Sequence, residues 1–251
     1  MDILRKHSMK VVYTLEDLFG YPIGDVTEDP NDNTFTAYHY DSDSIYGPFK
    51  TKEDAELTRR SIIIAAREVF LIRGVSRTTM EHIATQAGVT RGAIYWHFKN
   101  KTEIFQAMRE QVFLPLIDRM DVTLLVDNSQ NPLVQIENFL CGTIQLLNNS
   151  LETRQIYEIM MIKCEYVTEF SVVLQEILLT CSGIEEKLRF TYEKAKEQGL
   201  LHPSHEPAQL AIDTQLFFIG LLHMWVKDSD GSHFRNRAIK LIKAHMSLII
   251  R

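Results

Sequence analysis

From residue 52 onward the apolar positions recur every three to four residues, the period of amphipathic helices. Ile62, Ile63, Ala66, Val69 and Phe70 make one such stripe and predict a helix over 52–72, which Gly74 ends. Shorter stripes follow at Ile83, Ala84 and Ala87, and again at Ile94 and Phe98. A fourth helix starts at Asn100, with Glu103 three residues on, and is expected to be interrupted near Pro115. Asn131-Pro132 reads as a cap plus first-turn proline and opens a fifth. Further helices are expected over 152–164, 167–181, 182–198, 206–227 and 233–249, with Ser182 and Glu185 resembling a capping box and Gly199 a stop. The pattern differs before residue 50. Thr34 to Tyr40 alternates as a strand does, and Val11 to Tyr13 is a second short strand candidate, among turn signals such as Gly20, Pro22, Gly24, Pro30, Gly47 and Pro48.

The stretch Thr78 to Phe98 carries the most information. Thr78 is expected to cap a short helix, with Glu81 closing a capping box. Gly88 supplies a turn where a positive φ is cheap only without a Cβ. Val89 plugs a small core, and Thr90 caps a second helix. Ile94 and Phe98 face inward there, leaving Arg91, Gly92, Ala93, Tyr95, Trp96 and His97 largely outward. Such a surface suits a helix that approaches a duplex closely. Gly92 and Ala93 admit the backbone, Arg91 reaches base edges, and Tyr95 and His97 reach phosphates.

These residues resemble the helix-turn-helix of TetR-family transcriptional repressors. The matching positions are Thr78-Thr79, Ile83-Ala84, Ala87-Gly88-Val89, Gly92, Tyr95, His97-Phe98 and Lys101. The run from Thr90 to Phe98 is similar to the AcrR-like and TtgR-like branch that controls multidrug efflux pumps. The resemblance implies a DNA surface of Thr78, Thr79, Thr90, Arg91, Gly92, Ala93, Tyr95, Trp96, His97 and Lys101, with Lys101 on a phosphate.

Charge agrees with that placement. Residues 1–49 carry 3 Lys/Arg and 9 Asp/Glu, residues 50–110 carry 11 and 7, and residues 111–251 carry 13 and 17. The segment holding the motif is therefore the basic one, as phosphate binding requires. Cys141, Cys164 and Cys181 are too few and too scattered for a disulfide framework or a metal site, which suits a reducing cytoplasm. No continuous apolar leader is expected, and no segment reads as long enough to span a membrane.

The expected fold is all-α. It has a three-helix head over 51–110 and a helical ligand-binding and dimerisation bundle over 111–251, after an acidic, aromatic extension over 1–50. That extension has no counterpart in the TetR pattern. It reads as a small β unit, a disordered tail, or codons upstream of the true start.

Beyond residue 130 the chain is rich in apolar and sulfur-bearing side chains, notably Met160, Met161, Ile162 and Leu216 to Leu222. They serve either as bundle core or as an adaptable wall for an apolar ligand. Lys163-Cys164-Glu165 resembles the same branch. Carried over from that resemblance, the pocket would comprise Leu140, Thr143 and Ile144 on the fifth helix, and Tyr157, Met161 and Cys164 on the sixth. Ile184 and Leu188 on the eighth, and Gln215, Phe218, Ile219 and His223 on the ninth, would complete it. Thr143, Tyr157, Gln215 and His223 would be its hydrogen-bonding handles. The implied effector is a small apolar or aromatic molecule, with no cofactor and no metal. The implied assembly is a homodimer through the eighth and ninth helices, reading a palindromic operator in double-stranded DNA.

Two rival readings stand beside this one. His202, His205 and Glu206 superficially resemble a metal cluster, but Pro203 breaks the helix that would align them, and no GxSxG, P-loop or Rossmann fingerprint supports an enzyme. A regulator of the same type could instead answer to a protein partner through residues 1–49.

Overall fold

The computed structural model describes residues 26–28, 35–37, 52–126 and 131–249. The chain divides into two units at Arg59 and Arg60, each treated by itself. In the first, β1 (Val26–Glu28) and β2 (Phe35–Ala37) form an antiparallel hairpin with Thr27 opposite Thr36. β2 falls within the alternating stretch. Val11 to Tyr13 lies outside the described residues.

The rest is helical: α1 (Lys52–Arg73), α2 (Met80–Ala87), α3 (Arg91–His97) and α4 (Lys101–Asp121), then α5 (Pro132–Asn149) and α6 (Leu151–Glu158). α7 (Ser171–Glu197), α8 (Pro207–Lys227) and α9 (Ala238–Ser247) follow. α4 and α6 both run on into single π-helical turns, Val122–Val126 and Ile159–Lys163.

α4 passes through Pro115 unbroken. The lost amide bond costs roughly 3 kcal/mol. Against it stands a buried stripe at Ile104, Met108, Val112, Leu116 and Met120, every fourth residue and continued by Leu124. Residues 167–181 and 182–198, expected as two helices, form the single helix α7 after a short 3-10 turn at Thr168–Phe170. Ser182 does not cap. Its hydroxyl donates back to the Leu178 carbonyl at 3.2 Å, as the hydroxyl of Thr180 does to Glu176 at 2.9 Å. Gln215 of α8 then pins this segment by donating to the Cys181 carbonyl at 2.7 Å.

The head, α1 to α3, is seated on the bundle by apolar and polar contacts together. Phe105 of α4 meets Phe70 at 6.2 Å, Phe170 at 5.3 Å and Tyr166 at 6.4 Å. The Val75 amide donates to the Lys163 carbonyl at 2.9 Å, and Arg67 pairs with Glu152. α4 thus crosses the boundary expected near residue 110 without a break. α8 differs from expectation in being long and apolar enough, by length and composition, to cross a membrane. Here it packs against α7 and α9, with Thr214 buried between Tyr192 at 2.7 Å and His245 at 3.2 Å.

Candidate nucleic-acid interface and effector site

The cap of α2 is Thr79 rather than Thr78. Its hydroxyl accepts from the His82 amide at 3.2 Å, and His82 Nδ1 accepts from the Thr79 amide at 3.3 Å, so a histidine stands where a capping box usually has a carboxylate. Thr78 is turned inward, 2% exposed, and donates to the Gly74 carbonyl at 2.7 Å. Its hydroxyl is already spent, so it is not on the outer surface assigned to it from sequence. Gly88, at φ +67°, makes the turn, and Thr90 caps α3 by accepting from the Ala93 amide at 3.2 Å.

Ile94 and Phe98 anchor α3 in the head core. Arg91 and Gly92 are exposed, with Tyr95 at 45% and Trp96 at 67% exposure, while Ala93 and His97 are partly covered. The Arg91 guanidinium lies 5.9 Å over the Tyr95 ring, and Trp96 meets His97 edge-on at 4.5 Å. The outward face of α3 is thus a cation and three aromatic rings, with one glycine where a backbone can come close.

Lys101 behaves differently from that face. Its ammonium donates to the Val75 carbonyl at 3.0 Å, pairs with Glu169 at 3.2 Å and lies 5.6 Å over the Phe170 ring. The expected phosphate contact is instead an internal brace between head and bundle.

In the bundle, Leu140, Thr143, Ile144, Tyr157, Leu188 and Phe218 are buried, and Met161, Cys164, Ile184, Gln215 and His223 are half-buried. Ile219 stands apart, 40% exposed on the same side of α8 as Ile212 and Leu216. It belongs with that surface stripe rather than with the interior. Two expected handles are occupied: Thr143 donates to Phe139 at 2.9 Å, and Gln215 to Cys181. Tyr157 stacks on Phe113 of α4 at 6.1 Å, and burial raises its hydroxyl well above the usual range. Burial likewise pushes the Cys164 thiol up to about 12.

Sequence reasoning missed a polar cluster on α4. Arg109 donates to Glu176 of α7 at 2.6 Å, and Gln106 to the same carboxylate at 2.8 Å. Arg109 lies one helical turn before Phe113, the available signal that it shares the inward face.

A groove of about 290 Å³ is lined by Met224, Lys227 to Asp230, His233 and Phe234 at the end of α8. There Asp228 accepts from the amides of His233, Phe234 and Arg235 at 3.1, 2.6 and 2.9 Å. In the His202 to Glu206 loop, His202 bonds Ser204 at 2.7 Å and Glu206 pairs with Lys196 at 3.0 Å. No group of three His, Cys, Asp or Glu suited to a metal occurs among the described residues.

Known proteins share this architecture. The family model described as "Bacterial regulatory proteins, tetR family" matches residues 62–108. The model for the "MAATS-type transcriptional repressor, C-terminal region" matches 131–250. The HTH-type transcriptional regulator TtgR of Pseudomonas putida is 32% identical over 177 residues, 70% of this chain and 84% of that one. The crystal structure of NalD, the secondary repressor of the MexAB-OprM multidrug efflux pump in Pseudomonas aeruginosa, is 32% identical with a TM-score of 0.71. It covers 80% of this chain and 99% of its own. The SmeT–triclosan complex, whose protein is the repressor of the Stenotrophomonas maltophilia pump SmeDEF, is 25% identical with a TM-score of 0.68 over 78% of this chain and 92% of its own. The capped, aromatic recognition helix and these matches lead to one conclusion: the chain belongs to the TetR family of bacterial regulatory proteins and is a DNA-binding transcriptional regulator.

Proposed function

We propose that this protein represses a multidrug efflux operon and releases its operator when an apolar or aromatic molecule enters the bundle. The observation that carries the reading is α4. This one helix starts just after the recognition helix, takes part in the head–bundle junction through Phe105 packed on Phe70 and Phe170, and stacks Phe113 on Tyr157 among the expected pocket residues. A ligand that repacks Tyr157 therefore acts on the helix that also supports the head. Binding then shifts a population between two head spacings. The relatives support the same direction, since NalD and SmeT are described as repressors of efflux pumps and SmeT as a complex with triclosan.

On the DNA, Arg91 reads base edges and Gly92 with Ala93 allows close approach. Tyr95, Trp96 and His97 line the sugar-phosphate wall, while Thr79 and Thr90 present the helix starts to phosphates. Lys101 is left to the junction. The homodimer forms through the second half of α7, which exposes Phe190, and through α8, where Ile212, Leu216 and Ile219 make an exposed stripe. Covering that stripe places two heads about 34 Å apart for a palindromic operator.

The test is a gel-shift titration on the gene's own upstream DNA, with and without triclosan and other apolar aromatics. Specific retardation relieved by one compound class is the expected result. Retardation that no compound disturbs would overturn the small-molecule reading and direct attention to a protein partner acting through residues 1–49.

A further inference from the structure

Arg109 holds a buried charge that the protein satisfies at one end only. Its side chain is 11% exposed, and Nη2 donates to Glu176 at 2.6 Å. The other terminal nitrogen, Nη1, is fully buried and finds no acceptor among the described residues. Glu176 does not reach it: one carboxylate oxygen takes Nη2, and the other accepts from Gln106 at 2.8 Å. Tyr166, close enough to feel the Arg109 charge, spends its hydroxyl on the Met160 carbonyl at 2.8 Å. A guanidinium is charged at every physiological pH and presents its donors in a fixed fork. Leaving one arm unpaired out of water is costly, and a native fold that does so calls for a partner it does not itself contain. Aromatic side chains lie in the same region: Tyr166 is within range of the Arg109 charge, and one turn further along α4 Phe113 is stacked on Tyr157.

We propose that Arg109 Nη1 receives an anionic oxygen of the effector, so that the preferred effectors are aromatic molecules bearing an acidic group such as a phenolate, carboxylate or sulfonate. The inference rests on the ligand-responsive reading above and narrows its ligand class. It also supplies a lever. The same guanidinium ties α4 to α7 through Glu176, so an anion on Nη1 competes with that tie and loosens the helix beneath the head.

The test uses two fluorescent probes of one aromatic skeleton, anilinonaphthalene sulfonate and phenylnaphthylamine, of which only the first carries an acid. In titrations of the full chain the sulfonate should bind at least about tenfold more tightly, the worth of one charge-assisted hydrogen bond. Arg109→Met should erase that preference and leave phenylnaphthylamine binding in place. Glu176→Gln, which frees the guanidinium, should increase it, and this variant decides the matter if Arg109→Met does not fold. Equal binding of both probes, or a preference that survives Arg109→Met, would overturn the inference while the apolar pocket stands. If neither probe binds, the pocket reading itself falls and takes this inference with it.

Discussion

Arg91 and Lys101 belong to one motif, yet they hold their charges in opposite ways. The Arg91 guanidinium lies outside, resting on the Tyr95 ring, and its donors are taken by none of the described residues. The Lys101 ammonium is turned inward onto a carbonyl, a carboxylate and a ring. A basic residue inside a DNA-binding motif is therefore not a DNA contact by virtue of its type. What decides is whether its donors are already taken.

The sharpest way to break this comparison is to remove each charge in turn. Lys101→Met should cost about 1.5–3 kcal/mol of stability, the range for a hydrogen bond from a charged donor to a carbonyl left buried. The exposed Glu169 pair adds little. Thermal unfolding should show the loss, while the dependence of DNA affinity on salt stays as in the unaltered protein. If instead the salt slope fell by about one counterion with stability intact, Lys101 would be a phosphate contact after all. Arg91→Ala should do the reverse. It should leave unfolding nearly unchanged and cost about 1–3 kcal/mol of discrimination between operator and random duplex, read from the ratio of the two affinities.

The same contrast marks what the sequence could disclose. In the head the signals are local. Gly88 must make the turn, Thr90 has an amide three residues on, and Ile94 with Phe98 share a face, so α3 could be placed from the chain alone. Adjacent threonines were harder. Either Thr78 or Thr79 could cap α2, and the choice is made by the Gly74 carbonyl, which takes the Thr78 hydroxyl. In the bundle the deciding contacts are distant. Ser182 can cap or bond backward along a helix, and α7 stays whole where Gln215 of α8 reaches Cys181. Pro115 is tolerated because burial continues on both sides of it. Ile219 shares its helical period with Phe218 and Gln215, and only the packing of α8 on α7 and α9 shows which side of the helix is left outside.

Thr78 and Thr79 offer a smaller test of the same rule. Thr79→Ala removes the α2 cap and should destabilise the head by about 1 kcal/mol. Thr79→Asp, which keeps a capping oxygen, should restore stability but weaken binding to every DNA sequence by placing a negative charge toward phosphate. Thr78→Val fills nearly the same buried volume and should leave DNA affinity unchanged apart from its effect on folding. A loss of affinity in a Thr78→Val protein of normal stability would return Thr78 to the DNA surface.

The smallest effect concerns the far end of the bundle, where polar groups serve structure alone. Burial by itself would raise the Asp228 carboxyl, but the amides of Arg235, Phe234 and His233 outweigh it and bring it down to about 2. An unfolded aspartate titrates near 3.9, so the folded state binds the proton less tightly. Its contribution is thus complete above that value and is lost as pH falls through about 4 toward 2. Melting temperatures across this window should drop more steeply for the unaltered protein than for Asp228→Asn, which starts lower at neutral pH. Asp228 caps the turn leading into α9, while Arg235 donates back to the Trp225 carbonyl at 3.0 Å at the end of α8. Because neither residue touches the head, DNA specificity at neutral pH should be the same in both proteins. A changed operator preference in Asp228→Asn would mean that the end of α8 communicates with α3, and the separation drawn between outward and inward charges would fail there first.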